Sequence, residues 1–553
     1  MAFQRNWTDV WFEMTQVTYS PGLITSWLSA GYRLAYSQFT YSLPGESSVW
    51  PGYGAFDEPY LPGFALPDTN LSSAFADAID AWDALIRPDF SEVPDDAFGQ
   101  GAIRLAITDI DDDLAGYAYF PDYIDEKSGD IWLNANGLEG DWDVGSYGFV
   151  TLIHELGHTL GLDHPFAVDS APEWLDSLRY TVMSYNWIEE RYVSFDIEDG
   201  QFYAYFAQPV PITPMVLDIA TVQRFYGADL STNSGTTTYT FEAMDPALRT
   251  IYDANGIDTF DLSAISTTNV VDLQPGAYSS IGMASVAEQI AYWSGKFPAF
   301  APFIEEIFTE YLADNDQTAF TFTDNLGIAL TTTIENVIGG SGRDEIHGNS
   351  ASNELLGNAG NDLLVGLGGR DRLEGGDGND HLYGYDVFVK PSNLATRVGE
   401  TAPGEVEPSA APVPQAGVAT DSEDILIGGA GDDVLMGGPG RDVASGGSGA
   451  DLFLFSEGDF AGATIALADI ISDFSEAEGD RIDLSAIDAI IGPGDEAFRF
   501  LGTDTFSGAG GELRIEALDD YLMLFGETTG DVIADFAIRL DGLTTLSVGA
   551  III

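Results

Sequence analysis

The sequence predicts two domains of different class, an α+β domain to residue 238 and an all-β parallel roll over 239–553. Three observations carry this expectation. A chain of 553 residues is too long for one typical core. Mixed helix and strand patterning up to about residue 230 then gives way to short β-rich segments such as TIYDANGIDTFDLS. Beyond Gly339, glycines recur every nine residues, the signature of a parallel β-roll.

In the first domain a strand is expected at 36–43, then a helix whose apolar positions Phe75, Ile79, Trp82 and Ile86 keep helical spacing. Short strands follow at 102–108, 115–120 and 129–134, a second helix carries His154, and a third spans 215–226. A helical stretch at 285–312 interrupts the β-rich texture without a readable role. Roll turns begin at Gly339, Gly348, Gly357, Gly366, Gly375 and Gly384, and again at Ala419, Gly428, Gly437 and Gly446. Between the two blocks, 387–418 carries Pro391, Pro403, Pro408, Pro412 and Pro414 and reads as a flexible excursion. The tail from about 455 is further β-structure ending in AIII.

Hydrophobic content of 45% is that of a globular protein. Charge is the outlier: 89 Asp and Glu against 20 Lys and Arg give a net charge of −69. A nucleic-acid partner is excluded, because backbone binding needs clustered basic side chains. The acid serves calcium binding, solubility in saline surroundings, or both. The absence of cysteine removes disulfides and thiolate sites, so zinc would be held by His with oxygen ligands. The start, MAFQRNWTDVWFEM, has no signal-peptide core, and no run of 18 apolar residues could span a membrane. Composition alone would place the chain in the cytoplasm; the repeats reverse that.

The segment HELGHTLGLDH puts His154 and His158 one helical turn apart on one face, where two imidazoles reach one ion. Gly161 can turn the chain back in the left-handed conformation so that His164 approaches as a third ligand. Zinc held this way leaves a position for water, lowers its pKa to roughly 7, and sets Glu155 as the base that takes the proton. The bland alternative is an amphipathic helix with incidental histidines. Against it, three of the five histidines in the chain fall in this eleven-residue window.

Downstream, 181–185 reads TVMSY, and a long zinc motif followed by a Met-turn resembles the metzincins, the Tyr marking the serralysin and astacin branches. FTYSLP, AGYAYFP, GDIWLNA, PMVLDIATVQRFYGA, TTIENVIGGSG and DIISDFSEAEGDRIDLSAID are similar to serralysins, so the resemblance runs from about residue 20 to the tail. It implies a zinc metalloendopeptidase that hydrolyses peptide bonds of extracellular proteins, with a catalytic domain at 19–238. Met183 would form the floor under the metal and Tyr185 a further, mobile zinc ligand. AGYAYFP, at 115–121, would border the cleft and pair with extended substrate; by itself it reads as a plain edge strand. Two stretches depart from the family: 187–211 is aromatic-rich and longer than expected, and 1–18 does not resemble the mature start and is expected to be a short propeptide or extension.

The strong repeats have the form G-G-x-G-x-D with an apolar residue two places on. Glycines allow the tight turn and expose carbonyls, and Asp supplies the hard oxygen calcium prefers. Ile346, Leu355, Leu364, Leu373 and Leu382 are expected to point inward. The alternative, a disordered Gly/Asp linker, would not keep a strict register. By resemblance to RTX rolls, each ion lies between a loop and the second loop along, which pairs Asp344 with Asp362, Asp362 with Asp380, and Asp433 with Asp451, while Asn353 weakens the site shared with Asp371. The candidate calcium ligands are Gly340, Gly342, Asp344, Gly357, Ala359, Asp362, Gly366, Gly368, Asp371, Gly375, Asp377, Asp380, Asp424, Gly429, Gly431, Asp433, Gly437, Asp442, Gly446 and Asp451. A separate family site is expected from Asp253, Gly256 and Asp258 with Thr333 and Glu335. His347 and His381 are expected to be bystanders.

Weak calcium sites fill outside cells, so the chain is expected to be secreted. The resemblance implies type I export guided by the C-terminal region, although LTTLSVGAIII lacks an acidic residue close to its end. A monomer acting on protein or peptide substrates is expected. The rival reading is a non-catalytic, calcium-dependent adhesion protein with a relic metal motif.

Overall fold

The computed structural model describes residues 15–16, 21–34, 38–110, 114–122, 124–135, 141–167, 172–385, 423–490 and 496–553. An α+β unit is followed by a parallel β-roll, as the sequence predicts. The five-stranded sheet of the first unit runs Phe90–Glu92, Phe39–Ser42, Ile103–Thr108, Asp130–Asn134, Gly116–Ala118. Only the last strand is antiparallel to its neighbour, and it forms an edge.

The helix Thr69–Asp83 starts where Asp68 accepts the Leu71 N–H at 2.9 Å, and it buries Phe75, Ile79 and Trp82. Ile86 lies beyond its end, although it is buried in the same core. The Trp82 indole donates to the Ile153 carbonyl at 3.2 Å, tying this helix to the next, Tyr147–Thr159. The third expected helix is Val216–Tyr226.

In the roll, successive strands alternate between two twelve-stranded sheets, and parallel partners such as Glu354 and Arg372 are 18 residues apart. Ile346, Leu355, Leu364, Leu373 and Leu382 are fully buried between the sheets, as the period requires. At the interruption, Arg372 pairs directly with Ile425 and Glu374 with Ile427. Gly384 therefore lies against the Asp424 carboxylate, while Ala419, where a turn is expected to begin, and all of 387–418 lie outside the described residues. The C-terminal Ile551–Ile552 closes one sheet by pairing with Ile482 and Asp483.

The stretch at 285–312 becomes the helix Val286–Lys296, a short helix Ala301–Glu306 and a π-turn Ile307–Tyr311. These pack on the hairpin formed by Tyr192–Glu198 and Gln201–Ala207, which occupies most of the long 187–211 segment. Val193, Phe195, Trp293, Ile304 and Phe308 form an apolar cluster of their own, distinct from the two main cores. Of the expected extension at 1–18, Thr15–Gln16 pairs with Tyr278 and Ala277; the rest lies outside the described residues.

Candidate metal centre

The helix Tyr147–Thr159 begins at Ser146, whose hydroxyl accepts the Phe149 N–H at 3.1 Å. It ends one residue short of Gly161, which sits at φ 94°. A Cβ there would lie 2.2 Å from the Tyr32 carbonyl oxygen, so both conformation and space require glycine. The turn lets Leu162 bridge to Ser29 and brings His164 back over the helix.

His154, His158 and His164 form the one group of three or more His, Asp or Glu side chains whose ligand atoms all lie within 4.8 Å of one another among the described residues. His154 Nδ1–H donates to the Val182 carbonyl at 2.7 Å and His158 Nδ1–H to the Leu162 carbonyl at 2.8 Å. Those bonds leave both Nε2 lone pairs directed inward. His164 Nε2 is 3.1 Å from that of His158 and 3.3 Å from that of His154. Burial lowers the pKa of all three imidazoles, His158 to about 3, so they are neutral at pH 7. Converging lone pairs at this spacing repel one another unless a cation lies among them. The spacing is close to the ~3.3 Å between two nitrogens of a tetrahedral ion with 2.0–2.1 Å bonds, so the residues fit zinc.

Glu155 is buried beside them, and its Oε2 has no hydrogen-bond partner among the described residues. Burial pushes its carboxyl up to about 8. A Cβ on Gly116 would be 3.5 Å from its Oε1, so the edge strand Gly116–Ala118 runs directly past the carboxylate. Tyr185 is half exposed, with its ring 5.5 Å from that of His154 and 4.6 Å from that of His164; burial raises its phenol to about 12. Met183 is fully buried under the helix, where its sulfur occupies the space a side chain at Gly157 would need.

Sequence reasoning missed Asp218, the residue that holds this turn. Its carboxylate accepts the Thr181 hydroxyl at 2.6 Å and the Val182 and Met215 N–H groups at 2.8 Å. Val182 in turn supplies the carbonyl that orients His154, so Asp218 acts on the centre through the turn. The signal was its place at the third position of a helix, where a carboxylate reaches back to the start. Two exposed aromatics were also missed: Phe166 stacks on His164 at 4.7 Å and Phe120 meets His158 edge-on at 5.0 Å.

In the roll, the aspartates form two ladders. Asp344 N–H donates to Asp362 Oδ1, Asp362 to Asp380, Asp380 to Asp433 and Asp433 to Asp451, at 2.8 to 3.0 Å. On the other side Asn353 donates to Asp371, Asp371 to Asp424 and Asp424 to Asp442, each at 2.8 Å. The links across the interruption span 53 residues where the others span 18. Both ladders run on to Asp469 and Asp480, which sequence reasoning missed because they fall outside the nine-residue register.

The second oxygens of Asp362, Asp371, Asp380, Asp433, Asp442 and Asp451 are buried without partners among the described residues. A Cβ on Gly357 would lie 2.4 Å from Asp362 Oδ2 and 2.6 Å from the Gly375 carbonyl, and the same arrangement recurs at Gly366, Gly375 and Gly428. Carboxylate and carbonyl oxygens thus face one small space per turn, which fits calcium. Asp377, at a strand end in register with Ala359, is exposed. At the separate site, Asp258 N–H donates to Glu335 Oε2 at 2.8 Å and Gly256 lies against the Asp258 carboxylate. The buried hydroxyl meeting Asp253 is that of Thr332, while Thr333 is exposed. His347 and His381 face Glu345 and Tyr383, away from the histidine group.

Residues 417–553 match the Peptidase M10 serralysin C terminal family, and 331–364 and 356–386 match the RTX calcium-binding nonapeptide repeat. Serralysin of Proteus mirabilis is 30% identical over 304 residues, covering 49% of this chain and 52% of the relative. Serralysin G of Dickeya chrysanthemi is 33% identical over 186 residues, covering 30% and 36%, and metallopeptidase AprA of Pseudomonas marginalis is 27% identical over 333, covering 56% and 59%. The chain thus spans about half the length of the curated relatives it matches. No helix among the described residues is long and apolar enough to cross a membrane. The type implies one catalytic zinc and several calcium ions, and the histidine group and the aspartate ladders suit both. On its two-domain architecture and these matches, the chain is similar to serralysins over about half of its length, with segments that match RTX calcium-binding repeats behind an α+β domain.

Proposed function

We propose that this chain is a secreted zinc endopeptidase that hydrolyses peptide bonds of extracellular proteins, with 19–238 as its catalytic domain and 239–553 as a calcium-dependent roll. The observation that carries the reading is the convergence of three neutral imidazoles beside a buried carboxylate oxygen without a partner among the described residues. His154, His158 and His164 would hold zinc, with Tyr185 as a further, mobile ligand. Bound there, zinc supplies Lewis acidity that acidifies water and polarises a peptide carbonyl.

The side chains do the rest. Extended substrate pairs its backbone along the free edge Gly116–Ala118, which lays a carbonyl beside Glu155. Glu155 takes the proton of the attacking water and delivers it to the departing amine. Burial alone favours its protonated form; beside a cation held by the three imidazoles it would be the carboxylate. The half-exposed Tyr185 hydroxyl donates to the oxygen on which negative charge develops. Met183, held through the Asp218-capped turn, supports the helix from below.

The buried ladder carboxylates support a roll that folds with calcium, and hence an enzyme that works where calcium is plentiful. Secretion as a monomer through a type I apparatus, guided by the C-terminal region, completes the reading, with 1–18 as a short propeptide or extension. The test is casein digestion in calcium buffer by the zinc-loaded chain and by Glu155→Gln. Zinc content should be unchanged, while turnover falls by ~10²–10⁴. Near-normal hydrolysis by a zinc-loaded variant removes the assignment.

A further inference from the structure

The hairpin at 192–207 leaves the chain seven residues after Tyr185 and returns to the helix that carries Asp218. At its base the Trp187 ring lies 5.2 Å from that of Tyr147, at the head of the histidine-bearing helix. The hairpin is therefore anchored beside the centre. Its inner face, Phe195, Phe202 and Ala204, packs on the helices at 286–314.

Its outer strand, Gln201–Ala207, is different. The sheet has two strands only, and among the described residues no backbone group pairs with the far side of this strand. Natural proteins blunt such edges with Lys, Pro or a bulge. This one has the sequence QFYAYFA and an unbroken seven-residue register. On the outer face Tyr203 lies opposite Asp196 and Tyr205 opposite Ser194, and both tyrosines are exposed. Asp196, Glu198 and Asp199 are exposed at the same end, and the one cation of the hairpin is Arg191 at its base.

We propose that Gln201–Ala207 is a docking edge for an extended polypeptide segment carrying Lys or Arg at alternate positions. The segment adds as a third strand by backbone pairing. Side chains on one of its faces then fall beside Tyr203 and Tyr205, where phenol rings hold cations by cation–π attraction, and toward the carboxylates of Asp196 and Glu198. A second copy of this chain is the disfavoured occupant, because edge-to-edge pairing would set these carboxylates against their own copies within a chain of net charge −69. Seated there, a basic stretch of a protein substrate is held next to the cleft. That consequence rests on the endopeptidase reading, whereas docking itself does not.

The test is fluorescence anisotropy with the full, calcium-loaded chain and a peptide of about 16 residues alternating Lys with Val, compared with one alternating Glu with Val. The Lys peptide should bind and the Glu peptide should not. Tyr203→Ala/Tyr205→Ala and Asp196→Asn/Glu198→Gln should each weaken binding at least about tenfold. Glu516→Gln/Asp519→Asn, which removes the same charge from the far end of the roll, should leave it unchanged. Equal loss in that control would mean attraction to net charge alone and overturn the proposal, as would full binding by both hairpin variants. Sedimentation showing a dimer abolished by the tyrosine variant would assign the edge to a second copy instead. Binding without casein cleavage would retain the docking edge and sink the endopeptidase reading.

Discussion

Removing calcium tests how the roll is held together, and the structure sets the expected size and sign. Asp469 is buried, and burial raises its carboxyl from 3.8 to about 7. Asp442, which donates its N–H to Asp469, is raised to about 9, again mainly by burial, with Asp469 and Asp424 adding like charge. Keeping one carboxylate ionised where its pKa is about 7 and not 3.8 costs on the order of 4 kcal/mol. Two such groups offset most of the 5–15 kcal/mol by which a domain is typically stable. A cation between the turns removes that cost; a chelator restores it.

Because these folded-state pKa values are raised, the stability the groups contribute is full below about pH 3.8 and is lost as pH rises through 7 for Asp469 and 9 for Asp442. The calcium-free roll is therefore expected to be unfolded at about pH 9 and to recover β-structure near pH 5, while the calcium-loaded roll shows no such recovery. Circular dichroism melts with and without chelator at both pH values measure this. Net charge repulsion also relaxes in acid, so Asp442→Asn separates the causes. It should stabilise the calcium-free chain more at high pH than at low. A calcium-free roll that melts at the same or a higher temperature at high pH would refute the reasoning.

Tyr185→Phe should lower kcat far more than it raises KM, by the about 2.7–4 kcal/mol a donor to developing charge is worth, with zinc retained; an unchanged kcat would make Tyr185 packing. Asp218→Ala leaves the Thr181 hydroxyl and two backbone N–H groups without their buried acceptor. It should lower stability by about 1–3 kcal/mol for each donor left unsatisfied and zinc affinity by ~10–100-fold, read by melting and by competition with a chelator. With calcium saturating, melting temperature should rise from low to seawater-like salt, since screening relieves the repulsion of a net charge of −69; a flat or falling curve would remove that role for the acid.

The histidine group was legible because HELGHTLGLDH writes its geometry into spacing: helical pitch aligns His154 with His158, and Gly161 permits the return of His164. The inward residues of the roll were legible for the same reason, since a nine-residue turn repeats every contact 18 residues later. Asp469 and Asp480 were not, because they join the ladders after spacings of 27 and 29 residues that no period announces. How the two blocks of the roll join was not legible either: only the pairing of Arg372 with Ile425 shows that the sheet continues directly across the interruption.

By itself, then, the sequence determined whatever is local: the two domain classes, the triad of imidazoles, the turn after Gly161 and the periodic core from Ile346 to Leu382. Tertiary structure decided whatever depends on segments remote in the chain. Asp218 becomes the cap of the Met183 turn only because a helix 36 residues beyond Val182 folds back beneath it. The stretch at 285–312 acquires a role only when Trp293 and Phe308 meet Phe195 of the hairpin. Helical and roll periods are set by backbone geometry, which each residue carries with it, whereas a buried carboxylate or an apolar face takes its meaning from the partner that covers it.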